Sequence, residues 1–415
     1  MATWKARVGA LLVGMLVLIG GPGLLRPGPA AATGPADELV VLVDPSGNLG
    51  LLTSVLAAGS WNVVAAESST GLYRIQRSGS LAWSASALIS SLESTSVVRG
   101  VEALVDARHV AEYVVQQTTP VYLDDDLTAA SIRSADAYLL MNLPANAPSA
   151  PSVLPRLAVL DGGFVLTHEA FPAARLADQW DALDGDPNAA DTGNGIDDDG
   201  DGVVDGGVGH GLGMVGAALV VCPHADIYCA RVLDDEGCGD SWSVANGLAW
   251  AMSQGVDVIN LSFAMDGYSE VVDLMLQDAA NQGIVVVAAA GNQGASNLSF
   301  PANLPQVLAV SGTEEDGDAD DVANFHAKTW MSAPSCNVPG PHPSAPDAYG
   351  WWSGTSVSSA LAAGTIALAI GEDPGDPWSV LDDLEGAALG FGAMPQARVG
   401  KQGAGIFDVG TITAP

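Results

Sequence analysis

Basic side chains are scarce in this chain of 415 residues, where 14 Lys and Arg stand against 48 Asp and Glu and give a net charge of −34. Phosphate recognition needs clustered Lys and Arg, so this balance excludes the nucleic-acid-binding classes and disfavours docking on anionic membranes. Aromatic residues make up only 6%, but 48% of the residues are hydrophobic, which disfavours intrinsic disorder. The length predicts two or three domains.

Long apolar runs are also few. Lys5 and Arg7 precede the 12-residue apolar run Val8–Ile19, and Ala30–Ala32 offers a small-residue cleavage site, a layout typical of a secretory signal peptide. An uncleaved anchor is disfavoured because a membrane span takes about 20 residues, and we find no second run of that length. We therefore predict a signal peptide at residues 1–32 and a secreted protein that has no membrane contact after cleavage.

The chain contains only four cysteines: Cys222, Cys229, Cys238 and Cys336. An exported protein meets oxidising conditions, so one or two disulfides are expected. Three of the cysteines lie within 17 residues, which favours at least one local pair, although three pairings of four cysteines are open. A zinc site is the alternative, but no CxxC or HExxH spacing supports it.

Residues 36–115 predict a small α+β domain with the order β-α-β-β-α-β, a split βαβ sandwich. Its predicted elements are the strands Leu39–Val43, Trp61–Ala66, Gly71–Ile75 and Val97–Val105 and the helices Leu51–Ala58 and Ala85–Leu92. Residues 116–155, with the run Asp124–Asp126 and many prolines, are interpreted as a linker.

Residues 156–415 predict one α/β domain with a doubly wound, mostly parallel sheet. Strongly apolar strands alternate there with helices, and a run such as Ile284–Ala290 suits a strand that is buried on both faces. The other predicted strands are Arg156–Leu160, Ala225–Val232, Val256–Leu261 and Val307–Val310.

Four polar residues stand where these strands end or helices begin: Asp161, His210, Asn292 and Ser356. Their types suit acyl transfer, in which an imidazole accepts the proton of a serine hydroxyl, a carboxylate holds the imidazole, and an amide stabilises the oxyanion. Taken singly, each residue is as well explained by a turn or a helix cap. Their joint order is what favours a catalytic site.

The strings around these residues resemble those of the subtilisin-like serine proteases, or subtilases. They are Gly209-His210-Gly211 with Met214-Val215-Gly216, Asp257–Ser262, Val287–Asn292 and Ser353–Ser356. The resemblance implies a catalytic triad of Asp161, His210 and Ser356, with Asn292 as oxyanion donor. It also implies that residues 36–115 are a propeptide, which assists folding and inhibits the enzyme as its intramolecular partner.

The resemblance also implies how a protein or peptide substrate binds, as an extended strand beside the primary pocket. The residues concerned are Leu261, Ser262, Phe263 and Ala264 on one side and Ala288, Ala289, Ala290 and Gly291 on the other. The small side chains favour a bulky apolar guest. Four positions depart from the family pattern, namely Gly162, Leu212, Gly213 and Ala360, but none of them removes a group that moves protons.

The acidic stretch Asp197–Asp205 resembles a calcium loop, with carboxylates at Asp197, Asp199, Asp201 and Asp205. Ca²⁺ takes six to eight oxygen ligands, and closely spaced carboxylates repel one another without a cation. The loop lacks the full twelve-residue pattern that ends in Glu, so a solvated acidic loop is the alternative. Any calcium is expected to be structural, with no cofactor needed for catalysis.

Together these observations predict a secreted, monomeric serine endopeptidase made as a preproprotein. The alternative from another class is a catalytically inactive, calcium-stabilised subtilase-like binding or surface protein. Residues 151–415 carry 36 acidic and 6 basic side chains, a net charge of −30, so most of the acidity belongs to the region with the catalytic motifs and is expected to keep it soluble.

Overall fold

The structure, a computed structural model, describes residues 38–78, 82–109, 122–123, 128, 131–151 and 153–412. The predicted signal peptide and the run Asp124–Asp126 lie outside the described residues. The strands are β1 (Glu38–Val43), β2 (Trp61–Glu67), β3 (Leu72–Arg77), β4 (Val98–Ala103), β5 (Asp106–His109), β6 (Tyr122–Leu123), β7 (Arg156–Asp161), β8 (Leu176–Asp181), β9 (Asp226–Arg231), β10 (Cys238–Asp240), β11 (Val258–Leu261), β12 (Phe263–Met265), β13 (Val285–Ala289), β14 (Leu308–Thr313), β15 (Met331–Pro334), β16 (Val338–Pro341) and β17 (Tyr349–Trp352). The α-helices are α1 (Leu49–Gly59), α2 (Ala85–Glu93), α3 (Asp136–Leu140), α4 (His210–Val221), α5 (Ser241–Ser253), α6 (Glu270–Asn281), α7 (Thr355–Glu372), α8 (Pro377–Ala387) and α9 (Val409–Ile412), and two short 3₁₀ turns span Ile132–Ser134 and Ala173–Arg175.

The small N-terminal domain is an antiparallel sheet with the order β2-β3-β1-β4, covered on one face by α1 and α2. Asn48 caps α1 and Ser84 caps α2 through their side-chain oxygens, as expected for helix N-termini. The apolar strand β1 is buried from Leu39 to Val43 and forms the centre of the sheet with β3. The predicted split βαβ arrangement is therefore confirmed.

The larger domain is built on a seven-stranded parallel sheet with the order β15-β14-β13-β11-β7-β9-β8. The side chains of β13 are all buried, because α4 and α7 cover one face of the sheet and α5 and α6 cover the other. The predicted α/β class is confirmed. The edge strands β8 and β15 were not predicted, and the partly exposed side chains of β8 explain why it lacks the apolar run of a central strand.

Helix α7 corrects the expectation that no second apolar run could span a membrane. It has 18 residues and a mean hydropathy of 1.2, which is long and apolar enough by composition. However, 89% of it is buried inside the protein, and it contacts α4 and the strands of the central sheet. Its apolar character is that of a core helix.

Part of the segment interpreted as a linker packs into the core of the larger domain. Tyr138 and Met141 are fully buried there, and the hydroxyl of Tyr138 donates to the carbonyl oxygen of Pro339 at 2.8 Å. The short helix α3 carries this contact. Composition did not indicate it, because the anchoring side chains are isolated among small and polar residues.

The prediction of a local disulfide is wrong, since no disulfide joins the four cysteines. Cys222 directly follows α4, and Cys229 lies in the middle of β9. Both are ordinary buried core side chains. Burial raises the pKa of Cys222 to about 12, so this thiol stays protonated and unreactive at neutral pH.

Candidate active site

Asp161 and His210 meet at the carboxyl edge of the central sheet. Asp161 is the last residue of β7, His210 is the first residue of α4, and both side chains are buried. Nδ1 of His210 lies 2.6 Å from Oδ1 of Asp161, and the same oxygen accepts the N–H of Gly162 at 2.7 Å. A buried carboxylate in this position holds the imidazole ring and favours the tautomer with its proton on Nδ1. Nε2 is then in the form that accepts a proton.

Ser356 lies in the first turn of α7 and is fully buried. Its Oγ donates to the carbonyl oxygen of Ser262 at 3.1 Å, and the hydroxyl of Ser262 donates back to the carbonyl oxygen of Ser356 at 2.9 Å. Gly354 enters the helix with a φ of +136°, a conformation that side chains disfavour. The serine is thus held at a helix N-terminus, where N–H groups stabilise negative charge.

The side chain of Asn292 is oriented by the residue that precedes Ser356. Its Oδ1 accepts the N–H of Thr355 at 2.9 Å and the Thr355 hydroxyl at 2.8 Å, while Thr355 Oγ1 accepts the N–H of Gly291 at 3.1 Å. With Oδ1 held in this way, Nδ2 is the end of the amide that can donate to an oxyanion. These bonds join the loop after β13 to the first residue of α7.

The segment assigned to substrate binding runs from Leu261 through Ser262 into β12. Strand β5 pairs antiparallel with β12 on one side and with β10 on the other, so residues 106–109 form the middle strand of a three-stranded sheet. Ala288–Gly291, the second predicted wall, is buried at the end of β13. Sequence patterns missed β5 and β10, because these short polar strands have neither an apolar run nor regular alternation.

Asp191 supports the turn that precedes His210 and was missed by sequence reasoning. Its Oδ2 accepts the N–H of Gly209 at 2.6 Å, and a Cβ on Gly163 would lie 2.5 Å from its Cα, so the two loops pack closely. Burial raises the pKa of Asp191 to about 6, although the Gly209 N–H opposes the rise. No motif marks this residue, which stands in an aperiodic loop.

Three of the four predicted calcium ligands come together. One carboxylate oxygen each from Asp197, Asp199 and Asp201 lies within 4.8 Å of the others. The carboxylate of Asp205 instead accepts the N–H groups of Asn194 and Gly195 and is not part of this group. Three clustered carboxylates fit the oxygen ligands that Ca²⁺ requires, while Asp205 holds the loop that presents them.

The departures from the family pattern leave the polar groups intact. Leu212 and Ala360 are buried in the core between the helices and the sheet. Gly162 donates its N–H to Asp161 and contributes no side chain. These positions therefore alter packing around the site and not its proton-transfer groups.

Comparison with known proteins relates the chain to proteases of one family by sequence and by fold. Residues 155–390 match the Subtilase family. The M-protease of Shouchella clausii (strain KSM-K16) is 33% identical over 177 residues, which are 42% of this chain and 46% of that protein. Subtilisin BL of Lederbergia lenta is 33% identical over 178 residues, 42% of this chain and 65% of that protein. The chain thus matches less than two thirds of the length of either relative.

A solved structure shares the overall fold. Fervidolysin of Fervidobacterium pennivorans, described as a keratinolytic enzyme related to subtilisin, matches with a TM-score of 0.69 and 18% identity. The match covers 95% of this chain and 62% of that one. At this identity the likeness concerns the fold, and it extends over both domains described above.

Proposed function

This chain belongs to the subtilase family, and from that membership and the geometry of the site we propose that it is a serine endopeptidase acting on protein or peptide substrates. The observation that carries the proposal is the contact of 2.6 Å between Asp161 and His210 at the sheet edge where α7 presents Ser356. Such a pairing is what a buried imidazole needs to act as a general base.

In the proposed reaction, Nε2 of His210 takes the proton of Ser356 Oγ as that oxygen attacks the substrate carbonyl carbon. The Nδ2 of Asn292 and the main-chain N–H of Ser356 donate to the oxyanion. The protonated imidazole then gives its proton to the leaving amine, which departs as the peptide bond breaks. Water, deprotonated by the same imidazole, releases the acyl group and restores the serine.

The direct test of this function is covalent labelling. The full chain is produced in a secreting host, treated with a fluorophosphonate and assayed on casein. We expect the label on the peptide that contains Ser356, together with casein cleavage. A folded wild-type protein that takes up no label and cleaves nothing would contradict the proposal and favour the alternative, an inactive subtilase-like binding protein.

We also propose that substrates bind as β5 does, as the middle strand between β10 and β12. Ala107 of β5 is fully buried in the cluster that contains Leu233 and Phe263, which supports a requirement for a small apolar residue at this point of a substrate. For the primary pocket, the small residues from Ala288 to Gly291 support a bulky apolar guest. Edge-strand addition supplies main-chain hydrogen bonds without sequence preference.

The small domain is proposed to be a propeptide that inhibits the enzyme from within the same chain. Its strand β4 faces α6, where Arg99 forms two hydrogen bonds of 2.7 and 2.8 Å with Asp278. Glu102 accepts the main-chain N–H of Glu270 at 2.6 Å and the hydroxyl of Ser269. These contacts hold the small domain on α6 while β5 fills the substrate strand position.

Self-cleavage is expected just beyond β5. Phe263 pairs with His109 in the antiparallel register. Ser262 comes one residue before Phe263, and its carbonyl oxygen accepts the Ser356 hydroxyl. Continuing the register by one residue on the β5 side reaches Val110, so we expect Ser356 to cleave the bond between Val110 and Ala111. N-terminal sequencing of the mature protein should therefore begin at Ala111. A start more than two residues away would contradict the register.

Inhibition by the small domain should weaken as the pH rises. Burial at the interface raises the pKa of Glu102 from 4.5 to about 7, so the bound state favours the protonated carboxyl. Affinity is then greatest below pH 4.5 and falls as the pH passes through 7. We expect the ratio of masked to total activity, measured before and after removal of the cleaved domain, to decrease between pH 5 and pH 8.

The matched variants for this test are Glu102→Gln and Glu67→Gln. The first removes the titrating group and should flatten the decrease. The second removes a carboxylate from the opposite edge strand β2 and should preserve it. The charged groups Arg99, Glu270 and Asp278 at the same interface are unchanged in both. An equally steep decrease in Glu102→Gln would show that another group is responsible.

Calcium is proposed to stabilise the loop of Asp197, Asp199 and Asp201. Bound Ca²⁺ would offset the repulsion among the three carboxylates and join the ends of the loop, and no step of catalysis involves it. Removing it with a chelator should lower the melting temperature by about 5–10 °C, the shift for a ligand at roughly 100 times its Kd. Calorimetry with and without Ca²⁺ measures this directly.

The control for the calcium test is a charge change elsewhere. Asp199→Asn should abolish the stabilisation by Ca²⁺, whereas Asp347→Asn, on an exposed loop after β16, should retain it. A melting temperature that does not respond to Ca²⁺ in the wild type would show that the loop is only a solvated acidic segment.

Export through the signal peptide remains proposed, on the layout of residues 1–32.

A further inference from the structure

Gly213 and Trp352 pack against each other at the first turn of α4, the helix that begins with His210. Gly213 lies three residues after His210 on α4 and is one of the four positions that depart from the family pattern. A Cβ on Gly213 would lie 2.6 Å from Cε2 and Cζ2 of Trp352, and one on Gly340 would lie 3.0 Å from Cδ1 of the same indole. Trp352 is only 4% exposed, and its Nε1 donates to the carbonyl oxygen of Pro341 at 3.2 Å. The indole therefore fills a slot that two glycines leave open.

The same indole packs against the imidazole of His210. The two ring centroids are 6.1 Å apart and the ring planes meet at 79°, an edge-to-face arrangement favoured between aromatic rings. Asp161 contacts the imidazole at Nδ1, and packing against the indole opposes tilting of the ring about that hydrogen bond.

We propose that Trp352 is a positioning residue for His210, seated in the space that Gly213 leaves open. The indole restricts the plane of the imidazole, whose Nε2 takes the proton of Ser356 in the proposed reaction. This inference rests on the proposed function, because it concerns the same proton transfer. It also accounts for the departure at Gly213, since a larger residue there would displace the indole.

The first test replaces Trp352 by Ala and by Phe in the full chain. For Trp352→Ala we expect kcat to fall about 10- to 100-fold, the scale of a small misplacement of a catalytic group. KM should change little, because Trp352 is on neither β10 nor β12. Trp352→Phe keeps an aromatic edge and should recover most of the loss.

The pH profile separates positioning from general damage. Water that enters the vacated slot would solvate the charged imidazole better, so the acid limb of kcat/KM should move to higher pH in Trp352→Ala. Trp351→Ala is the matched control, because Trp351 faces the other side of β17, towards Ala135 and Asn337, and should change kcat less than about threefold. The titratable groups on the elements around His210 are kept in every variant: Asp161, His168, Asp191 and His342.

A double-mutant cycle tests the contact itself. Gly213→Ala should displace the indole and lower kcat in the wild-type background, but should have no further effect in Trp352→Ala. If Trp352→Ala does not fold, Gly213→Ala alone carries the test through its kcat and acid limb. If these variants keep the kcat and the pH profile of the wild type, the inference is overturned. A wild type that takes no fluorophosphonate label would instead overturn the proposed function.

Discussion

Replacing Ser356 by Ala is expected to abolish both self-cleavage and proteolysis. The change removes the atom that attacks the carbonyl, while the small residue fits the same buried position at the start of α7. Loss of a subtilase nucleophile costs about 10⁶-fold in kcat, so the variant should be inactive on casein and unlabelled by a fluorophosphonate. Mass spectrometry should find it as the uncut precursor, with the small domain still joined to the larger one.

Ser358→Ala is the matched control for this experiment. Ser358 lies in the same helix and is equally buried, but its hydroxyl donates to the carbonyl oxygens of Ala333 and Pro334. Its loss should lower the free energy of unfolding by about 1 kcal/mol and leave labelling and self-cleavage in place. If Ser356→Ala were still processed and active in pure form, the nucleophile would have to be another group.

Replacing Asp161 by Asn should lower kcat by about 10⁴-fold. The amide matches the carboxylate in shape, but its NH₂ group can donate to Nδ1 of His210 and favour the tautomer with a proton on Nε2. That nitrogen then cannot take the proton of Ser356. Since β10 and β12, the proposed binding strands, are untouched, the loss should appear in kcat and not in KM.

The control for the Asp161 variant is Asp226→Asn. Asp226 begins β9 at the opposite edge of the same sheet, 3.6 Å from Arg175, so the same chemical change occurs far from the imidazole. We expect a change in kcat of less than about twofold. A loss in Asp161→Asn no larger than that of the control, measured on a peptide amide in a single turnover, would contradict the assigned role of the carboxylate.

The fold was largely predictable because the buried strands of a parallel sheet are continuous apolar runs in the sequence. Strand β13 is covered on both faces and is apolar throughout, so both of its ends could be located within one residue. Ligand-binding residues of such sheets follow the strands. That rule, together with the joint order of the four polar residues, pointed to Asp161 and Asn292, which lie at the carboxyl edge of the sheet.

The features that escaped prediction depend on partners distant in the chain. Strand β5 is formed by pairing with β10 on one side and with β12 on the other. No property of residues 106–109 indicates this pairing. Asp191 acts through the N–H of Gly209, a contact set by how two aperiodic loops fold. The disulfide prediction failed for a related reason: spacing along the chain does not show which elements hold the cysteines, and Cys222 follows α4 whereas Cys229 lies within β9.

The position of β5 has a consequence for the order of the reaction in time. If β5 occupies the substrate position as proposed, the first cut is expected to be intramolecular, because the strand is joined directly to the small domain, and its rate should not change on dilution. The severed strand is then expected to stay bound as a product. Full activity would require a second molecule to degrade the small domain, a bimolecular event, so the lag before activity should shorten as the concentration of the precursor increases.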